Sequence, residues 1–211
     1  MKKFIILFIL LFLTSCAPRR NEIKEIPIKI NPNGLDVSDS SITTLNLDDY
    51  LLRDDVFYCD LRYYSWVLKD GYIPGFTFVP YYNFISARSG INAFFRQEKK
   101  EGINEGDIGS YRPLYQESIY VLNSLFPKDK KIFLISQSGL ESYYMGALLT
   151  QFGYDSSKIY NVGGVSVSTN FPAYVKVGNN FVKGNNTIPS DVNGSLFEVD
   201  FTKLDITLIE E

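Results

Sequence analysis

Three hydroxyls, one amide and one carboxylate fall within seven residues, Ser136-Gln137-Ser138-Gly139-Leu140-Glu141-Ser142, directly after the apolar run Lys131-Ile132-Phe133-Leu134-Ile135. An apolar run, a small glycine-containing turn and a helical pattern read as strand, tight loop and helix start. What this cluster can do is limited by what the chain lacks. There is no histidine in its 211 residues. That removes Ser-His-Asp and Cys-His nucleophile systems and every His-containing metal site, so no metal is expected. Two cysteines are present, Cys16 and Cys59. Cys59 sits in the apolar run Val56-Phe57-Tyr58-Cys59. It reads either as a small core hydrophobe or as a sulfur acceptor.

The N-terminus carries a different kind of chemistry. Met1-Lys2-Lys3 is basic, and Phe4 to Leu13 is an unbroken apolar run, too short for a membrane-spanning helix. Leu13-Thr14-Ser15-Cys16 resembles a bacterial lipobox, which implies lipidation of Cys16 and a signal peptide over residues 1–16. An ordinary signal peptide or a short anchor is the alternative. The lipobox reading implies an extracytoplasmic protein anchored by lipid to a bacterial membrane. Cys59 would then be the sole thiol and no internal disulfide could form. Loss of Lys2 and Lys3 with the leader leaves 19 basic against 24 acidic residues, a net charge of −5. Such a body has no charge reason to adsorb to anionic lipid, and nothing in it is built to bind nucleic acid.

The elements that must position the loop follow from patterning. Residues 17–42 are polar, with Pro18, Pro27, Pro32 and Asn33-Gly34, and predict a flexible tether. A helix from Leu47 to Leu52, capped by Thr44 or Asn46, should precede a buried strand at Val56–Cys59. A brief helix at Tyr64–Lys69 and a second strand at Phe76–Val79 come next. Residues 92–95 suggest helix, Glu98 to Gly109 a surface loop, and Pro113 the first turn of a helix. That helix should bury Leu114, Ile119, Leu122, Leu125 and Phe126. Gly139 to Phe152 predicts an amphipathic helix burying Leu140, Tyr144, Ala147, Leu148 and Phe152, followed by a strand at Lys158–Val162. Alternation of this kind predicts an α/β fold, a parallel sheet with helices on both faces. After Pro172 the period changes to two, which predicts a small antiparallel β appendage over 173–211.

Four landmarks then resemble the rhodanese-like sulfurtransferase family, in the family's order. Asp60-Leu61-Arg62 resembles its D-V-R, and Gly71-Tyr72-Ile73-Pro74-Gly75 its G-H-I-P-G. Ser136 to Ser142 resembles C-R-S-G-x-R-S, and Gly163-Gly164 the late G-G. The resemblance spans about residues 43–172 and implies a rhodanese-like domain. It implies that the loop amides and the helix N-terminus form an anion cradle that stabilises a persulfide-forming thiolate. In this chain Ser136 stands at the cysteine position, Gln137 and Glu141 at two arginine positions and Tyr72 at the histidine. A serine without a base cannot carry sulfur, and the Glu141 carboxylate repels an anion in the cradle.

These readings point to a membrane-anchored binding or interaction module without sulfurtransferase activity and without a cofactor. It would take an unknown protein or small-anion ligand at the 136–142 loop. A sulfurtransferase or sulfur carrier acting through Cys59 is the alternative. A structural envelope lipoprotein is a third reading, favoured if Phe181 or Phe197 plugs the loop. Asp60, Arg62, Gly71, Pro74, Gly75, Gly163 and Gly164 are expected as scaffold. Tyr63-Tyr64, Tyr81-Tyr82 and Tyr143-Tyr144 either line a binding face or pack into the core.

Overall fold

A computed structural model describes residues 24–36, 39–86, 93–98 and 109–165. The leader expected at 1–16, most of the loop expected at Glu98–Gly109 and the appendage expected at 173–211, with Phe181 and Phe197, lie outside the described residues.

The apolar runs become strands. β1 (Val56–Asp60), β2 (Thr77–Phe78), β6 (Lys131–Ser136) and β7 (Ile159–Gly164) form an all-parallel sheet in the order β2-β1-β6-β7. β6 lies at its centre, and all but its first residue are buried. A strand covered on both faces can afford a continuous apolar sequence, which is why Ile132 to Ile135 show no alternation. The pleat sorts them all the same. Ile132 and Leu134 join Cys59, Leu122, Met145, Leu148 and Leu149 in one core. Phe133 and Ile135 join Tyr58, Ile73, Phe76, Tyr160 and Val162 in the other.

α3 (Ser118–Leu125) and α4 (Leu140–Gln151) cover the first face. The second carries less helix than the alternating pattern predicts. It is covered by Ile42, by a 3-10 turn at Leu47–Tyr50 and by the Ile73–Phe76 stretch. α1 (Tyr64–Asp70) packs through Val67 on Tyr72 and Phe78 at the β2 edge. The Leu47–Leu52 helix is thus shorter than expected, and Asn46 does not cap it. Its Oδ1 accepts from the Thr43 N–H at 2.8 Å and its amide donates to the Ser41 carbonyl.

A short helix α2 (Tyr81–Phe84) leads to a second sheet that the sequence does not announce. β3 (Ile85–Ser86), β4 (Phe95–Glu98) and β5 (Ser110–Pro113) are ordered β3-β4-β5, parallel then antiparallel. Of the helix expected at 92–95, the described residues Ala93 to Phe95 are not helical. Phe94 and Phe95 instead pack on Phe84, and Arg96 to Glu98 extend to pair with β5. Pro113 ends a strand rather than starting a helix, because a residue without an N–H is tolerated on an edge strand. α3 begins at Ser118, whose Oγ accepts from the Tyr115 N–H and donates to the Phe94 carbonyl.

In α3 the expected face largely holds: Leu122 is buried, Leu125 packs on the core and Phe126 follows just beyond the helix, but Ile119 faces solvent. The α4 face is rotated from expectation. α4 buries Ser142, Met145, Gly146, Leu148 and Leu149, while Leu140 is exposed and Tyr144, Ala147 and Phe152 are half-buried. Gly146 sets this phase. An added Cβ there would stand 3.2 Å from a Leu35 methyl and 3.5 Å from the Ile159 Cγ2, so the helix approaches the sheet at its smallest residue.

Leu35 belongs to the stretch expected as tether. Residues 24–36 and 39–42 in fact lie against the domain. Lys29 is buried and donates to the carbonyls of Gly34 and Ser156. Pro27 accepts hydrogen bonds from Ser41 and Tyr160, and Lys24 meets Asp49 and Arg53. The composition that suggested a tether is answered by side chains from the domain that satisfy the segment's carbonyls. Among the described residues no helix is long and apolar enough to cross a membrane.

Candidate functional site

The C-terminal ends of β1 and β6 are adjacent, since Asp60 pairs with Ile135 and the Leu61 N–H donates to the Ile135 carbonyl at 2.9 Å. The loop from Ser136 to Gly139 leaves this edge and enters α4. Gly139 makes the entry possible. At φ 91° it sits in the left-handed region that glycine tolerates.

The loop is fastened from inside. Ser136 is fully buried and its Oγ accepts the Gly139 N–H at 2.8 Å. The Ser138 Oγ accepts from the Leu140 N–H and donates to a Glu141 carboxylate oxygen at 3.3 Å. Two amides that would face an anion at this helix start are therefore bound to the loop's own hydroxyls. From β7, Asn161 donates its amide to the Gly139 carbonyl at 2.9 Å and accepts from the Gly163 N–H. The Val165 N–H donates to the Ser136 carbonyl at 3.0 Å.

Gly163 and Gly164 explain themselves here. Gly163 has φ 115° next to a register shift between β6 and β7. A Cβ on Gly164 would lie 2.6 Å from the Ser138 carbonyl carbon. Only a residue without a side chain lets the loop rest on β7.

Asp60 and Arg62 pair, as their spacing suggests. The Arg62 Nη2 stands 2.7 Å from the Asp60 carboxylate, with both side chains fully buried, and donates also to the Gly71 carbonyl. Arg62 thereby ties β1 to the Gly71–Gly75 turn, where Gly71 and Gly75 adopt positive φ and Pro74 lies between them. Tyr72 packs its ring edge-on to Phe78.

Cys59 pairs with Leu134, two residues before Ser136, which puts it about 7 Å down the sheet from the loop. It is fully buried, and burial reinforced by the Asp60 charge pushes its thiol well above the usual range. The only described thiol is thus a neighbour of the loop in the sheet but fully buried.

Among the described residues three buried side-chain atoms have no hydrogen-bond partner: Arg62 Nη1, Gln137 Oε1 and Ser142 Oγ. Gln137 lies in the loop and Ser142 in the first turn of α4. Buried polar atoms are costly to leave unpaired, and two at one strand end fit a site completed by a polar ligand or water.

The tyrosine pairs divide between the two expected roles. Tyr81 is buried, and burial pushes its hydroxyl far above the ordinary tyrosine range. Tyr63 and Tyr82 are exposed, stacked at 5.1 Å with ring planes 5° apart, and Trp66 stands edge-on to Tyr63 at 5.4 Å. Tyr81 touches Tyr82 and Tyr144, and Tyr144 touches Tyr143. One continuous aromatic ribbon thus runs from α1 across α2 to α4, beside the loop. Asn161 and Trp66 were not anticipated from the sequence. The signal for Asn161 is a lone amide inside an apolar strand; Trp66 gives none beyond its type.

No protein-family model matches the chain, and neither a curated protein nor a solved structure matches it.

Proposed function

We propose that this chain is a membrane-anchored, rhodanese-like binding module that has given up sulfur transfer. The observation that carries the reading is the hydrogen bond from the Gly139 N–H to the Ser136 Oγ. Among the described residues this donor is the partner of Oγ, so no group there takes its proton, and the hydroxyl serves as a backbone acceptor. A serine acting as nucleophile has to donate its hydroxyl proton toward a base. Cys59 does not fill the gap, since its thiol is sealed in the core and its ionisation is suppressed. The unpaired Gln137 and Ser142 oxygens favour a site that still recognises something polar.

The lipid anchor at Cys16 and the extracytoplasmic location belong to the same proposal and rest on the Leu13-Thr14-Ser15-Cys16 segment. The test is the intact mass of the full-length chain after incubation with thiosulfate, beside a Ser136→Cys variant. No added sulfur on the natural chain supports the module. A gain of one sulfur that vanishes in Cys59→Ser would make it a sulfur carrier instead.

A further inference from the structure

We propose that the exposed aromatic surface of Tyr63, Trp66 and Tyr82, together with the Glu141 carboxylate, binds an arginine or lysine side chain of a protein partner. This rests on reading the chain as a binding module, and it names the partner's chemistry.

The surface is assembled from three elements. Tyr63 precedes α1, Trp66 lies within it, Tyr82 comes from α2 and Glu141 from the first turn of α4. The relative exposures are 37% for Tyr63, 36% for Trp66, 44% for Tyr82 and 46% for the adjoining Leu140. Contiguous exposed aromatic surface is the kind that interaction sites use. These rings are also pre-ordered. The Tyr63–Tyr82 stack and the Tyr63–Trp66 edge contact fix their geometry, so a partner loses little entropy in ordering them.

Charge selects the partner. The faces of tyrosine and tryptophan attract cations, and a carboxylate beside them adds to that attraction. Glu141 stands in the first turn of α4, the helix whose Tyr144 ring meets Tyr81 beside Tyr82, and after burial its charge helps raise the hydroxyls of Tyr63 and Tyr82. Among the described residues no lysine or arginine pairs with Glu141, whose partner is the Ser138 hydroxyl. Among the described residues the carboxylate beside these electron-rich rings is thus not neutralised by an ion pair, which disfavours an anion and suits a guanidinium or ammonium.

Trp66 is the only tryptophan in the chain, so its emission reports directly on this surface. The full-length chain, in a polyoxyethylene detergent at physiological ionic strength, is titrated with hexa-arginine, hexaglutamate and chitohexaose. Hexa-arginine should shift or quench the emission saturably. Its affinity should fall about fivefold in Tyr82→Ala and about tenfold or more in Glu141→Lys, with Glu141→Gln between natural and Lys. Silence with hexa-arginine, or a response undiminished in Glu141→Lys, overturns the proposal. A response to hexaglutamate or chitohexaose in its place overturns the cationic partner and leaves the module standing. Sulfur gained from thiosulfate would overturn the module reading, while the hexa-arginine titration still decides the surface by itself.

Discussion

Gly164 and Ser138 share one volume. The backbone of Ser138 fills the space that a Gly164 side chain would need, with its Cα 2.8 Å from the position of an added Cβ. The close approach is backbone on backbone, so no side-chain rotation relieves it. Gly164→Ala should therefore push the loop off β7 and destabilise the fold by about 1–3 kcal/mol, the usual cost of overpacking. Urea unfolding measures this, and an unchanged midpoint would show that the loop yields freely.

Ser136→Ala removes the acceptor of the Gly139 N–H and leaves a buried donor unpaired. A loss of about 1–3 kcal/mol is expected in the same assay. Ser136→Cys should recover only part of it, because sulfur is a weak acceptor.

The Asp60–Arg62 pair is wholly buried, so removing one member strands the other charge. Asp60→Ala should cost about 3–5 kcal/mol, whereas the double change Asp60→Leu with Arg62→Met should cost less than that single change. A double-mutant cycle by denaturant unfolding checks the order.

Alkaline pH should weaken the fold. Burial raises the Cys59 thiol well above its usual range, pushes the hydroxyls of Tyr58 and Tyr154 up to about 12, and raises those of Tyr81 and Tyr111 further. Each group stays protonated in the folded chain after it would ionise in the unfolded one. Its stabilising contribution is complete below the unfolded value and is lost as pH rises through the folded one. Stability should thus begin to fall near pH 9 and fall more steeply above 10. Equilibrium unfolding from pH 7 to 11 tests this, and a flat profile would contradict the burial of these groups.

Lys29 clips the 24–36 segment to the residue before the Ser157 turn by donating to the Ser156 carbonyl at 2.9 Å. Lys29→Ala should release this segment to hydrogen exchange while protection in β6 and α4 persists. Equal loss of protection everywhere would show that the segment is an integral part of the core.

What could be read from sequence divides along physical lines. β1, β6 and β7 were legible because buried parallel strands are unbroken apolar runs. The ends of α4 were legible from Gly139 and Gly153, but its face was not. Apolar residues surround this helix, and only contact with Leu35 and Ile159 shows that Gly146 faces inward. β3, β4 and β5 were missed because Arg96-Gln97-Glu98 and Ser110-Tyr111-Arg112 are short and polar, and are extended by pairing alone. In the site, the Asp60–Arg62 pair was legible as opposite charges at one strand end, and Gly163-Gly164 was singled out by resemblance alone. The internal hydrogen bond of Ser136 and the coming together of Tyr63, Trp66 and Tyr82 depend on three-dimensional placement.

Lys24 and Lys29 meet the domain at Asp49, Arg53 and Ser156, positions that precede β1 and β7, whereas Ser136 and Asp60 lie where the strands finish. With the proposed lipid on Cys16, only residues 17–23 separate it from Lys24, a span of no more than about 28 Å when fully stretched. Such a tether would join the domain at the end where the strands begin. The 136–142 loop lies at the other end of the sheet, the end a partner arriving from the aqueous side would reach without meeting the tether.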